Sequence, residues 1–240
     1  MSNGSKLPDK KATGAQVDAF LRQVAAAPAP AAAEGRGRLM FAMDATASRQ
    51  PTWDRAAHIQ AEMFEVTADL GGLDVQLAFY RGFGEFKVSN WTNNARELLQ
   101  LMTSVTCLAG ETQLGKVLKH ARNESKKRRV GALVFVGDSF EEDVDKVGKV
   151  AGELGILGLP AFIFHEGSDP LAAFAFQQIA KLSGGACCHF DSASADTLRD
   201  LLRAVAVYAA GGRPALENHA RGQGGQVKLL ADQMSAGKGG

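Results

Sequence analysis

Apolar runs and amphipathic stretches alternate along the chain. RLMFAMD, ending on Asp44, and VGALVFVGD, ending on Asp138, are nearly unbroken apolar runs. That is the pattern of strands covered on both faces. LPAFIFHE and GGACCHFD read as two further strands. LDVQLAFYRG instead alternates, with Leu73, Val75, Leu77 and Phe79 on one side. The turn Arg81-Gly82-Phe83-Gly84 then sends the chain back through EFKVSNW as a hairpin, so one strand runs antiparallel to its neighbour. Helices are predicted over 52–70, about 92–102, QLGKVLKHARNESKKRR, near 141–155, 169–182 and 195–210. Strands alternating with helices in this way predict an α/β fold with a mainly parallel sheet and helices on both faces.

Two amphipathic pieces flank this region. In residues 13–27, Val17, Phe20, Leu21 and Val24 form one stripe, and Thr13 with Gln16 has the form of a capping box. PAPAAAEGRGR then reads as a linker. The predicted division is an N-terminal helix and linker over 1–36, a domain over 37–210, and a flexible Gly-rich tail over 211–240. In the tail, Val227, Leu230, Ala231 and Met234 again sit at helical spacing. The first helix is expected to dock on the domain, because an exposed Phe/Leu/Val stripe is unfavourable. The tail segment is expected to be mobile until a partner binds it.

The 240 residues, 45% hydrophobic, suffice for one sizeable domain. A net charge of +1 gives no field that would draw nucleic acid or an anionic membrane. No stretch approaches the length of a membrane span, and MSNGSKLPDKKATG lacks the apolar region of a signal peptide. Cys107, Cys187 and Cys188 make a poor disulfide framework and have no zinc spacing, which fits buried thiols in a reducing cytoplasm. The Ala and Gly runs fit a GC-rich bacterial genome. His58, His120, His165 and His189 are scattered without metal-ligand spacing, and Lys126–Arg129 reads as a cationic helix C-terminus.

The candidate chemistry lies at strand ends, where ligands collect in such sheets. Asp44 opens an Asp44-x-Thr46-x-Ser48 turn, Asp138 ends a second buried strand, and Thr112 precedes a helix. Carboxylates and hydroxyls are hard oxygen donors suited to Mg²⁺ or Mn²⁺. Together these residues resemble the metal-ion-dependent adhesion site of von Willebrand factor A domains, of bacterial cytoplasmic type: D-x-S-x-S after the first strand, a later Thr, and an Asp after the fourth strand. LLQLMTSVTCLAGETQLGKVLKHA and IAKLSGGACCHFDSASADTLRDLL extend the likeness over about residues 37–210. Two departures stand out: Thr46 in place of Ser, and Ser139 where a Gly usually follows the Asp.

The resemblance implies a doubly wound, Rossmann-like sheet with one antiparallel edge strand. It implies a metal held by Asp44, Thr46, Ser48, Thr112 and Asp138, with one coordination position left for an acidic residue of a protein partner. Trp53, Trp91, Glu111 and Glu141 are candidates for the rim around it. Members of this type commonly work with AAA+ ATPases or other assemblies. The acidic run Glu141–Asp145 reads as a helix N-terminus favoured by the helix dipole. No nucleophile and base stand beside the site, so no catalysis is expected.

A competing resemblance is to haloacid-dehalogenase-like phosphotransferases. There Asp44 would be the nucleophile, Gly137, Asp138 and Asp143 a metal motif, and Lys116 or Lys119 the stabilising cation. That family normally builds a flap directly after the Asp strand. Here the hairpin comes later, over 73–89, which favours the adhesion-type reading.

Overall fold

The computed structural model describes residues 14–27, 36–49, 72–190 and 195–222. The helix expected over 52–70, the box residue Thr13, and the Val227–Met234 segment lie outside them. The elements are α1 (Gly14–Ala26), β1 (Gly37–Asp44), a 3₁₀ turn (Ala47–Arg49), β2 (Leu73–Arg81), β3 (Glu85–Val88), α2 (Ala95–Thr103), α3 (Leu114–Lys127), β4 (Ala132–Gly137), α4 (Val144–Ile156), β5 (Ala161–Glu166), α5 (Pro170–Ser183), β6 (Ala186–Phe190) and α6 (Ala195–Gly222).

The strands form one sheet in the order β3-β2-β1-β4-β5-β6. All neighbours pair parallel except β2 with β3, the hairpin edge. Because β1 is followed by β2 on one side and β4 on the other, the strand order reverses at the β1–β4 seam, and their carboxyl ends open a crevice there.

The unbroken apolar runs are explained by cover on both faces. Leu39, Phe41, Met43, Val134 and Val136 face a core closed by α1, α2 and α6. Met40, Ala42, Leu133 and Phe135 face a second core under α3, α4 and α5. Adjacent Cys188 and Cys187 fall on opposite faces by the same period-two rule. All three cysteines are free.

α1 is part of this core. Phe20, Leu21 and Val24 are buried, and the Phe20 ring meets Phe162 edge-on at 6.1 Å and Phe164 at 5.2 Å. Complete burial of such side chains stabilises by about 1.5–3 kcal/mol each. The stripe therefore docks on the domain, as expected.

The other end differs from the sequence reading. Helix continues past Gly211 to Gly222 across a break at Gly212, which has φ 69° and ψ −163°. Only glycine tolerates that conformation. Pro214 is acceptable there because it opens a new helical turn, where its missing N–H costs nothing. Leu216 then buries itself in the first core and anchors the segment.

Candidate metal centre

Asp44 is the last residue of β1 and is fully buried. Its Oδ1 accepts the Thr46 N–H at 2.8 Å, which closes the turn that carries Thr46 and Ser48. The Thr46 and Ser48 hydroxyls lie 3.4 Å apart. Ser48 Oγ donates to Asp138 Oδ2 at 2.7 Å, linking the β1 loop to the β4 loop across the seam. The other oxygen, Asp138 Oδ1, is buried without a hydrogen-bond partner among the described residues. A buried carboxylate oxygen left in that state is costly unless a cation or water meets it.

Thr112 joins from a third loop by way of Glu141. Its Oγ1 accepts the Glu141 N–H at 2.9 Å, and its own N–H donates to Glu141 Oε2 at 3.3 Å. Glu141 is otherwise exposed, and Glu111 is exposed beside Thr112. The acidic run after Asp138 thus divides its tasks. Asp143 is the N-cap of α4, accepting from the Asp145 and Lys146 N–H groups. Glu142 reaches back to accept the Gly115 N–H at 3.0 Å, capping α3, whose own N-cap residue Gln113 makes no side-chain cap. Burial pushes the Glu142 carboxyl above its ordinary range, against the downward pull of the Gly115 and Leu114 amides.

Two more groups sit beneath the centre. Tyr80 pairs with Asp44 across β1 and β2 and is completely buried. Burial first, and then the Asp44 charge, hold its phenol well above the ordinary value. His165 is buried against Phe176 and hydrogen-bonds the Asp138 backbone. Burial, and then neighbouring His189, lower its pKa from the ordinary histidine value. Sequence reading missed Tyr80 and the Glu142 cap, because strand register and loop-to-loop contact leave no local signal. His165, passed over for lack of metal spacing and expected at the surface or only partly buried, is instead buried as a core group.

Two rim candidates are placed elsewhere or not at all. Trp53 lies outside the described residues. Trp91 is at the opposite, amino end of the sheet. The next residue, Thr92, bridges to Val75 near the start of β2, and the Trp91 ring lies under the Arg38 guanidinium at 3.7 Å, with Nε1 donating to Glu124. A cation stack and a buried acceptor hold it there, away from the rim.

Of the features that the phosphotransferase reading needs, Asp143 and Lys116 are engaged in other contacts. Asp143 caps a helix. Lys116 Nζ donates to Gly84 O and Gln113 Oε1, and Lys119 is exposed. Among the described residues no group of three His, Cys, Asp or Glu side chains forms a metal cluster. Any cation here would depend on hydroxyls joining the two aspartates. Oxygen donors of this kind, with one buried carboxylate oxygen unmet, fit Mg²⁺ or Mn²⁺.

No protein-family model and no curated protein matches the sequence. Solved structures do match. The VWA domain of SpRpn10 aligns at TM-score 0.54 and 17% identity over 70% of this chain and 94% of that one. The fold is that of a von Willebrand factor A domain. A von Willebrand factor type A protein from Catenulispora acidiphila aligns at TM-score 0.57 and 14% identity, over 72% of this chain and 43% of that one. Proximal thread matrix protein 1 from the mussel byssus gives 0.55 and 16%, over 73% and 48%. The chain thus spans less than half of these two longer proteins. A six-stranded, mainly parallel sheet with one antiparallel edge and helices on both faces is the arrangement the resemblance implied.

Proposed function

We propose that this von Willebrand A domain is a non-catalytic, divalent-cation-dependent protein-binding module. Asp44, Thr46, Ser48, Thr112 and Asp138 would hold Mg²⁺ or Mn²⁺, directly or through water, and the cation would supply a Lewis-acid position for an acidic side chain of the partner. The observation that carries this reading is the Ser48–Asp138 contact across the β1–β4 seam, together with the unmet, buried Asp138 Oδ1 beside it. The protein's own residues do the positioning. The Asp44–Thr46 turn presents the two hydroxyls, and Glu141 ties the Thr112 loop to the Asp138 loop.

The three free thiols agree with a reducing, cytoplasmic setting. Among the described residues no helix is long and apolar enough to cross a membrane. A bacterial origin rests on composition and the resemblance, and an AAA+ ATPase or other assembly as partner on the resemblance.

Immobilised full-length protein, challenged with lysate from its source organism, tests the functional claim. Proteins retained with Mg²⁺ should be released by EDTA and absent from an Asp44→Ala column. Retention that is unaffected by both changes would rule out metal-dependent binding.

A further inference from the structure

We infer that the partner presents its carboxylate next to a bulky apolar side chain, and that Phe83 and Leu108 form the apolar half of the docking surface. This rests on the metal-dependent reading above and specifies its partner. Phe83 is 82% exposed at the tip of the β2–β3 hairpin, at the carboxyl end of β2, the same end of the sheet as Asp44. It sits between Gly82 (φ 58°) and Gly84 (φ 104°), whose left-handed conformations form the tight turn.

The tip is pinned on both flanks. Gly82 O accepts from the Glu111 N–H and Gln113 Nε2, each at 3.3 Å, and Gly84 O accepts from Lys116 Nζ at 3.0 Å. Gly110 packs so closely that a Cβ there would fall 2.1 Å from Gly82 O. A fixed turn that presents an aromatic ring to water loses little further entropy when the ring is covered.

Leu108, 45% exposed, continues the patch toward the metal centre. Its N–H donates to Ala45 O at 3.0 Å, next to Asp44, and its carbonyl accepts from the Gly82 N–H at 3.5 Å. The apolar pair is therefore joined through backbone to the loop that carries Thr46 and Ser48.

The charges around it decide the partner's chemistry. Glu111 and Glu141 are exposed on this rim and repel an approaching carboxylate. One carboxylate–cation bond against that repulsion gives little affinity or selectivity. Cover for Phe83 and Leu108 adds binding that the rim charge does not oppose, in the manner of an apolar anchor beside a polar contact.

Two fluorescein-labelled peptides test this on the full chain in Mg²⁺. Each carries a single Asp, flanked by Leu in one and by Gly in the other, and anisotropy is read. The Leu peptide should bind about fivefold to tenfold more tightly, as expected for partial burial of one aliphatic side chain. A Phe83→Ser/Leu108→Ser variant should lose that preference while keeping its affinity for Mg²⁺ and for the Gly peptide. Circular dichroism should show it folded, with at most a small drop in its thermal melt, since Phe83 is largely exposed and Leu108 nearly half exposed. Equal affinities in the wild type, or a preference surviving in the double variant, would overturn the inference. So would Mg²⁺ binding by calorimetry with neither peptide bound, a result that leaves the metal reading standing. A preference that appears only in Asp232→Asn would instead assign the surface to the chain's own Leu229-Leu230-Ala231-Asp232 stretch.

Discussion

Glu124 shows how one residue at the far end of the sheet carries stability rather than function. It is buried and accepts from Lys127, Trp91 and Arg38, while Arg38 is itself buried and also donates to Arg128 O at 2.5 Å. The Lys127 hydrogen bond, with help from Trp91, outweighs burial and brings the Glu124 carboxyl down to about 2. Because the folded-state value lies below the ordinary 4.5, this stabilisation is complete above about pH 4.5 and is lost as pH falls toward 2. Glu124→Gln should therefore cost on the order of 2–3 kcal/mol at neutral pH, since it also leaves the buried Arg38 charge unpaired. The gap between variant and wild type should close as pH falls from 4.5 toward 2, read by urea unfolding at a series of pH values. A gap that stays constant across that range would mean the carboxylate contributes nothing through its charge. Nothing local in the sequence marks this cluster. Trp91 read as a rim residue because it flanks the proposed metal residues in sequence, and only the pairing of Thr92 with Val75 sends it to the amino end.

Among the elements, α1 and the hairpin are held by different forces. α1 is held by apolar burial, so Phe20→Ala should lower the unfolding free energy by about 3–5 kcal/mol. Amide exchange over 18–27 should be protected in the wild type and fast in the variant; fast exchange in both would mean the helix is not docked. The hairpin tip is held by backbone contact, where a single methyl is too many. Gly110→Ala must push the loop off Gly82, at a cost of about 1–3 kcal/mol, with faster exchange at the Gly82 and Glu111 amides as the readout; unchanged exchange would contradict the close packing. The helical stripe of α1 was legible, since Phe20 and Val24 fall on one face. The second part of α6 was not. The stretch from Gly211 read as a Gly-rich tail, and Leu216, the residue that anchors the helix beyond Gly212, is a single apolar position with no visible period around it.

At the scale of the whole molecule, the alternation of apolar runs with helical stripes was enough to read an α/β sheet, because two-face burial removes polar positions from β1, β4 and β5. Strand order was not in any one segment. The resemblance implied a doubly wound sheet but no order; the order seen in the structure is what brings Asp44 and Asp138, far apart in sequence, to the same seam. Thr46 and Ser48 were legible as a pair because they share one turn. The link from Thr112 through Glu141 was not, since it depends on how two loops approach. The proposed function therefore depends on whether these five residues hold a cation as a unit. Titration of Mg²⁺ into EDTA-treated, dialysed protein by calorimetry tests this most directly, with Asp44→Ala and Asp138→Ala beside the wild type. One site per chain in the wild type and none in either variant, with all three proteins folded by circular dichroism, is the predicted result. Equal Mg²⁺ binding by the wild type and both variants, or no binding by any of them, would contradict it.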